Sequence, residues 1–227
     1  MCNPAPRLKF ALCFCISAKQ LAISDKHKAQ STKHKAQSTK HKAQSTKHMA
    51  ADELAEHYLT SLANGTGFLI NPLVFWIRPG SAFLQTMHAA ARRLGFLSLY
   101  LSLGQDQTDD SERQLQKLID KALGWRGAQP WNTTLAGKLD LLQQRKRKKI
   151  VLLMDCADRA WETEPGRNMM YGLKAAREQM NLGRDGIGLL LILAGPGEAG
   201  LRWLVRGNDA PFLGASLKEL PQGVDAG

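Results

Sequence analysis

The chain has 227 residues, 44% of them apolar, and a formal charge of +11, which allows one ordinary domain with a tail or two small domains. The charge is unevenly placed: residues 1–48 hold ten Lys and Arg against one acid, Asp25, giving +9, whereas residues 49–227 hold 21 against 19, giving +2. Overall basicity is therefore no argument that the body binds nucleic acid; no run of 18 apolar residues exists to cross a membrane, and four cysteines with only Cys156 in the body exclude a disulfide framework or paired zinc ligands. That cysteine usage fits a reducing compartment, and a cytoplasmic protein is expected.

Arg7 and Lys9 before Phe10 to Ile16 imitate a signal peptide only faintly, because the apolar run is short and holds two Cys. From Lys26 to Thr46 the heptapeptide Lys-His-Lys-Ala-Gln-Ser-Thr occurs three times unchanged, and a fourth copy begins at Lys47. No position of the seven is strongly apolar, so the repeat has no coiled-coil seam and reads as a disordered basic leader. Its lysines and histidines could touch a polyanion without sequence preference. Met49 opens a plausible helical start, and translation is expected to begin there. The expected organisation is thus a leader over 1–48 and one domain over 49–227.

Leu54, Tyr58 and Leu62 mark a helix that closes on Asn64-Gly65. Leu73 to Ile77 reads as the first strand, and Arg78-Pro79-Gly80-Ser81 turns the chain. Phe83, Met87, Ala90 and Leu94 give a helix a core stripe, with His88 beside it and without a role. Phe96 to Leu103 alternates Ser98, Tyr100 and Ser102 with four leucines, as a strand does. Ser111 with Gln114 makes a capping box for the next helix, which Gly124 follows. The aromatics Trp125 and Trp131 either cover the core edge or meet a partner. Thr133 or Thr134 caps a helix bearing Leu135, Leu139 and Leu142. It runs into Arg145-Lys-Arg-Lys-Lys149, which either complements the helix dipole or forms a small patch for phosphate backbone.

Ile150 to Met154 is a fully apolar run that ends on Asp155, the pattern of a strand buried on both faces with an acid at its carboxyl end. Ligands sit at that end of open α/β sheets. Pro165 stands at a helix start, with Met169, Leu173, Ala176 and Met180 on its inner face and Gly183 at its close. Ile187 to Leu193 is another buried strand, and Gly195-Pro-Gly-Glu-Ala-Gly200 leads into a short helix ending near Val205. Leu217 to Leu220 is a weak last strand. The order βαβααβαβαβ implies a three-layer αβα sandwich around a mostly parallel sheet.

Two glycine-bearing turns compete as anion sites. Gly195-x-Gly197-x-x-Gly200 matches a dinucleotide fingerprint, with Glu219 spaced for a ribose contact, but it comes at the fourth strand rather than the first. Arg78 to Ser81 lies after the first strand, at a distance from Asp155 that suits a phosphate loop and a magnesium-binding acid. Over residues 68 to about 221 the chain resembles the AAA+ branch of the P-loop ATPases. Leu73 to Leu84 looks like the first strand and phosphate loop, Ile150 to Asp158 like the Walker B strand, and Ile187 to Gly195 like the sensor strand. Arg202, Arg206 and Ala210 to Gly214 resemble the segment after that strand in bacterial AAA ATPases of the transposition and DNA-partner type.

The resemblance implies a nucleotide site at Gly80, Ser81, Ala82, Phe83 and Leu84, magnesium at Asp155 with help from Asp158, and an arginine finger at Arg202 or Arg206. It also implies ATP and Mg2+ as cofactors and a protein partner or a homo-oligomer. The family's residues are largely replaced. Ile77 and Ala82 stand at the glycines, Phe83 at the lysine, Leu84 at the Ser or Thr, Cys156 at the catalytic Glu, and Ala194-Gly195 at the sensor. The chain stops where the helical lid would begin. Three classes remain open: an interaction or nucleotide-binding module with little or no hydrolysis; an active ATPase with a non-standard loop; and a dinucleotide enzyme using Gly195 to Gly200.

Overall fold

A computed structural model describes residues 51–65, 71–78, 81–104, 110–125, 134–182 and 187–220. The leader with its repeats, Gly80 and its neighbour Pro79, residues 126–133 and Gly183 lie outside the described residues.

Five parallel strands form one sheet: β1 (Leu73–Trp76), β2 (Leu97–Ser102), β3 (Ile150–Asp155), β4 (Leu189–Gly195) and β5 (Leu217–Glu219), in the spatial order β2-β3-β4-β1-β5. The central three are apolar at almost every position because helices cover both faces. One face carries α1 (51–63) and α2 (Phe83–Arg93), whose Leu59, Phe83, Leu84, Met87 and Ala90 pack with Phe75, Val151, Leu153 and Ile192. The other carries α3 (Ser111–Leu123), α4 (Leu135–Lys146), α5 (Glu164–Asn181) and α6 (Glu198–Val205), packed on Val74, Leu152, Met154 and Leu191. A 3-10 segment, Ala157–Trp161, joins β3 to α5. The expected α/β sandwich and element order are thus present, and every strand pair is parallel.

Local expectations fare unevenly. Thr134 is the cap of α4, its hydroxyl accepting the Gly137 N–H at 3.1 Å. Thr163 caps α5 in the same way, which moves Pro165 one position inside the first helical residue. The Ser111–Gln114 capping box does not form. Asp110 holds the cap position, and Ser111 sits one residue into the helix with its hydroxyl buried and unpartnered among the described residues. Leu94 is exposed rather than part of the stripe, because α2 ends at Arg93 and Leu84 and Ala91 complete the buried face instead.

Candidate functional site

Parallel strands deliver all their carboxyl ends to one edge of the sheet, so β3 and β1 end on the same side with β4 between them. Side chains alternate along a strand. Val151 and Leu153 pack toward α1 and α2, and Asp155 continues that row. Its Oδ1 accepts the Cys156 N–H at 2.8 Å, and its Oδ2 accepts the Tyr100 hydroxyl at 3.0 Å. Tyr100 is also hydrogen-bonded to Gln85 on α2, so the acid is linked through one phenol to the first turn of that helix. Burial, then the neighbouring Asp155 charge, push the Tyr100 hydroxyl well above its ordinary pKa, which keeps it a donor.

The His88 ring lies 5.9 Å from that of Tyr100, and its Nδ1 is 2.7 Å from Ser98 Oγ. Burial and the adjacent Arg92 lower its pKa. His88 and Tyr100 are therefore part of the surroundings of Asp155, a role that the sequence pattern suggested for neither. For Tyr100 the link comes only from the strand register: Ser102 pairs with Asp155, which makes Tyr100 its diagonal neighbour on the same face.

Cys156, directly after Asp155, has a left-handed backbone with φ 55°. Left-handed residues other than Gly, Asn and Asp are uncommon and often mark functional sites. Its side chain packs against the core on the α3 to α6 side, and burial raises its pKa, so the thiol stays protonated.

The turn after β1 is built differently. The Ser81 N–H donates to the Arg78 carbonyl at 3.1 Å, and Ser81 Oγ accepts the Phe83 N–H at 3.3 Å. Ala82 precedes the helix with no side chain to cap it. Phe83 and Leu84 then turn into the core, with 1% of each exposed. The Phe83 ring meets Phe75 edge-on at 5.7 Å, and Phe75 meets Tyr58 at 5.2 Å. No cation or hydroxyl faces outward from these two positions. A Lys at residue 83 would be driven into an aromatic cluster, so that single change would not rebuild a phosphate site.

The second turn is filled from within. Asp158, on the 3-10 segment, is 8% exposed, and its Oδ2 accepts the Gly197 N–H at 3.0 Å at the start of α6. A Cβ on Gly195 would lie 1.9 Å from Asp158 Oδ1, one on Gly197 2.2 Å from Oδ2, and one on Gly200 2.1 Å from the Asp158 carbonyl. All three glycines of the fingerprint are thus required by close packing of one segment of this chain, and the helix amino terminus already faces a carboxylate. Asp158 Oδ1 has no partner among the described residues, and burial pushes the carboxyl upward in pKa. Asp158 therefore serves the packing of β4 and α6. Its assistance to a metal at Asp155 would compete with that contact.

A magnesium ion held by one carboxylate and by the nucleotide's own phosphates is compatible with Asp155, since such ions commonly use one or two carboxylates and keep several waters. Leu84 replaces the hydroxyl ligand. No group of three or more His, Cys, Asp or Glu side chains that could hold a metal by itself occurs among the described residues.

Arg202 bonds Glu198 one turn earlier, with Nε to Oε1 at 2.9 Å, and Arg206 is exposed just past α6. Beside them runs an aromatic ridge. Trp161 packs over Gly200, Trp203 meets the Tyr171 ring at 6.3 Å, and the Tyr171 hydroxyl donates to the Asp209 carbonyl. Trp161 and Tyr171 are both substantially exposed, as is Leu213 in the segment that follows α6.

No family model matches the chain, and no curated protein matches its sequence. Solved structures do. The Aeropyrum pernix ORC2 protein in its ADP form matches with a TM-score of 0.53 and 16% identity, over 75% of this chain and 46% of that one. The ADPNP-ADP complexes of ORC2 match at 0.51 and 17%, over 76% and 46%. The Aeropyrum pernix ORC1 protein in complex with DNA matches at 0.50 and 14%, over 76% and 44%. The chain thus spans less than half the length of these structures. The likeness is one of fold: the domain is a parallel α/β sandwich like that of these ORC proteins.

Proposed function

We propose that residues 49–227 form an AAA+-type module whose phosphate site has degenerated, which binds nucleotide weakly, hydrolyses little or no ATP, and works mainly through contacts with a protein partner or a second copy of itself. The observation that carries this reading is the burial of Phe83 and Leu84 at the start of α2. Catalysis of phosphoryl transfer depends on charges set around the phosphates, and losing one such contact typically costs on the order of 100-fold or more. Here the lysine position is an aromatic in the core, and the position after Asp155 is a protonated thiol rather than a carboxylate.

Weak nucleotide binding is supported by what remains: Asp155 on the α2 side of the sheet and backbone amides at a helix start, which attract anions whatever the side chain. The ADP and ADPNP-ADP forms of the fold's neighbours point the same way. One observation favours the runner-up, an active ATPase with a non-standard loop: the acid linked through Tyr100 to Gln85 is intact. The dinucleotide reading loses support from the Asp158 contacts that fill Gly195 to Gly200. The exposed aromatics Trp161 and Tyr171, both packed beside α6, are the surface that best suits a protein partner. In this reading residues 1–48 remain a basic leader that adds non-specific nucleic-acid contact, and the protein works in the cytoplasm. No described helix is long and apolar enough to cross a membrane.

Calorimetric titration of the full chain with ATP and Mg2+, ADP and NADH tests the reading. The expected result is weak, magnesium-dependent heat with ATP that Asp155→Ala abolishes, and none with NADH. Tight ATP binding indifferent to Asp155→Ala, or saturable NADH binding, would overturn it.

A further inference from the structure

We propose that the end of the sheet opposite Asp155 carries a second site, a binding surface for the phosphate backbone of nucleic acid, formed by Lys146, Arg147 and Lys148 within the run Arg145 to Lys149. All five side chains of the run are exposed, and none pairs with a carboxylate among the described residues. Residues 49–227 carry 21 Lys and Arg against 19 acids; without these five bases the balance is 16 against 19, so the body's excess positive charge is concentrated here.

A purely structural role accounts for the two ends of the run only. Arg145 Nη1 donates to the Leu123 carbonyl at 3.2 Å and Lys149 Nζ to the Ala63 carbonyl at 3.4 Å, so these two satisfy the last carbonyls of α3 and α1. Among the described residues, no hydrogen bond or ion pair involves the side chains of Lys146, Arg147 or Lys148. Arg147 carries a further anomaly. It closes α4 with φ 52°, a left-handed conformation that usually selects Gly or Asn at a helix end and disfavours other residues by about 1–2 kcal/mol. A long cation stands where a glycine would relieve the backbone.

The backbone beneath is firm. The Arg147 N–H returns to the Gln143 carbonyl at 2.8 Å, the Leu97 N–H binds the Lys149 carbonyl at 2.9 Å, and β3 begins at Ile150. The cations therefore project from a rigid edge, and ordering them for binding involves side chains alone. Clustered exposed bases suit the anionic phosphates of a nucleic-acid backbone, and such contacts fix position without reading sequence. An anionic membrane is the less suitable occupant, because the run holds no apolar side chain to insert. The surface lies a full strand length from Asp155, so it is independent of the nucleotide site.

The test is fluorescence anisotropy of a short labelled DNA duplex with the full chain over a range of salt. The comparison is among the native chain, the triple variant Lys146→Gln, Arg147→Gln, Lys148→Gln, the charge-keeping triple Lys146→Arg, Arg147→Lys, Lys148→Arg, and Lys148→Gln alone. The leader is common to all four and cancels. Each lost phosphate contact should lower the slope of log affinity against log salt by about 0.9, so the Gln triple should lose roughly 2–3 and the single variant about 0.9. The charge-keeping triple should keep the native slope. Equal slopes in all four would assign DNA binding to the leader and overturn the proposal, as would equal losses in both triples. Loss of binding to phosphatidylserine vesicles in the Gln triple, with duplex binding untouched, would make a membrane the occupant and overturn it too.

Discussion

Two strand-to-helix turns leave the same edge of the sheet, one after β1 and one after β4, and the sequence of each contains glycine. They have come to opposite ends. After β1 the helix starts with two apolar residues turned into the core, so neither offers a polar group at the surface. After β4 the glycines are needed, but what they admit is Asp158 of the same chain. Glycine spacing reports that something approaches the backbone closely; it does not say whether that is a ligand or a neighbouring segment. In this protein the turn with the better fingerprint is the one already occupied.

The largest expected effect lies at the β1 turn. Phe83→Ala should cost about 3–5 kcal/mol by opening a cavity beside Phe75, lowering the thermal midpoint by roughly 10 °C. Phe83→Lys should cost at least as much, because the ammonium has no partner in that cluster. Thermal melts of both decide the matter. A folded, stable Lys variant that gains ATP affinity would mean that residue 83 can swing out, and the contrast between the turns would fail.

At the β4 turn, Gly200→Ala must push the Asp158 carbonyl from 2.1 Å, for a cost of about 1–3 kcal/mol in the same melts. A neutral outcome would show that the 3-10 segment gives way easily. The turn would then be free to admit a ligand.

Asp158→Asn sharpens the same contact through pH. The folded pKa of Asp158 is raised above its ordinary value by burial, so the folded state holds this proton more tightly than the unfolded state does. Stability must then fall as pH rises from the ordinary carboxyl pKa through the folded one, and the penalty persists at neutral pH. The Asn variant lacks that titration. Its stability relative to the native chain should therefore increase between acid and neutral pH in denaturant titrations. A difference that stays constant with pH would contradict the burial of this carboxylate against Gly195 and Gly197.

The smallest effect is expected at Tyr100→Phe, which removes one hydrogen bond to a partly exposed acid, worth about 1 kcal/mol or less. Its use lies in the contrast with Asp155→Ala under ATP titration. Freeing Asp155 Oδ2 should leave magnesium-dependent binding intact or stronger, whereas removing the carboxylate should abolish it.

The strands were legible because a sheet covered on both faces demands unbroken apolar runs, and Ile150 to Met154 and Leu189 to Leu193 supply them. Asp155 stood out for the same reason, as the first polar residue after such a run. The Tyr100–Asp155 bond needed the β2–β3 register, which no local pattern contains. The Asp158 contacts join residues about forty positions apart, and their glycines read equally well as a cofactor motif. The Ser111–Gln114 capping box failed because a four-residue pattern competes with tertiary packing, which buried Ser111 and started the helix there. Phe83 and Leu84 could be named as replacements of a lysine and a hydroxyl. That they are core, so that restoring the lysine is no repair, came from the packing of Phe75 and Tyr58.

The central proposal is that this parallel α/β domain, with Asp155 at the end of β3, hydrolyses little or no ATP. Phosphate release by the full chain, measured with saturating ATP and Mg2+ beside the Asp155→Ala variant, tests it most directly. The account predicts release from both proteins at the rate of ATP in buffer alone. Saturable turnover by the native chain that disappears with Asp155→Ala would contradict it.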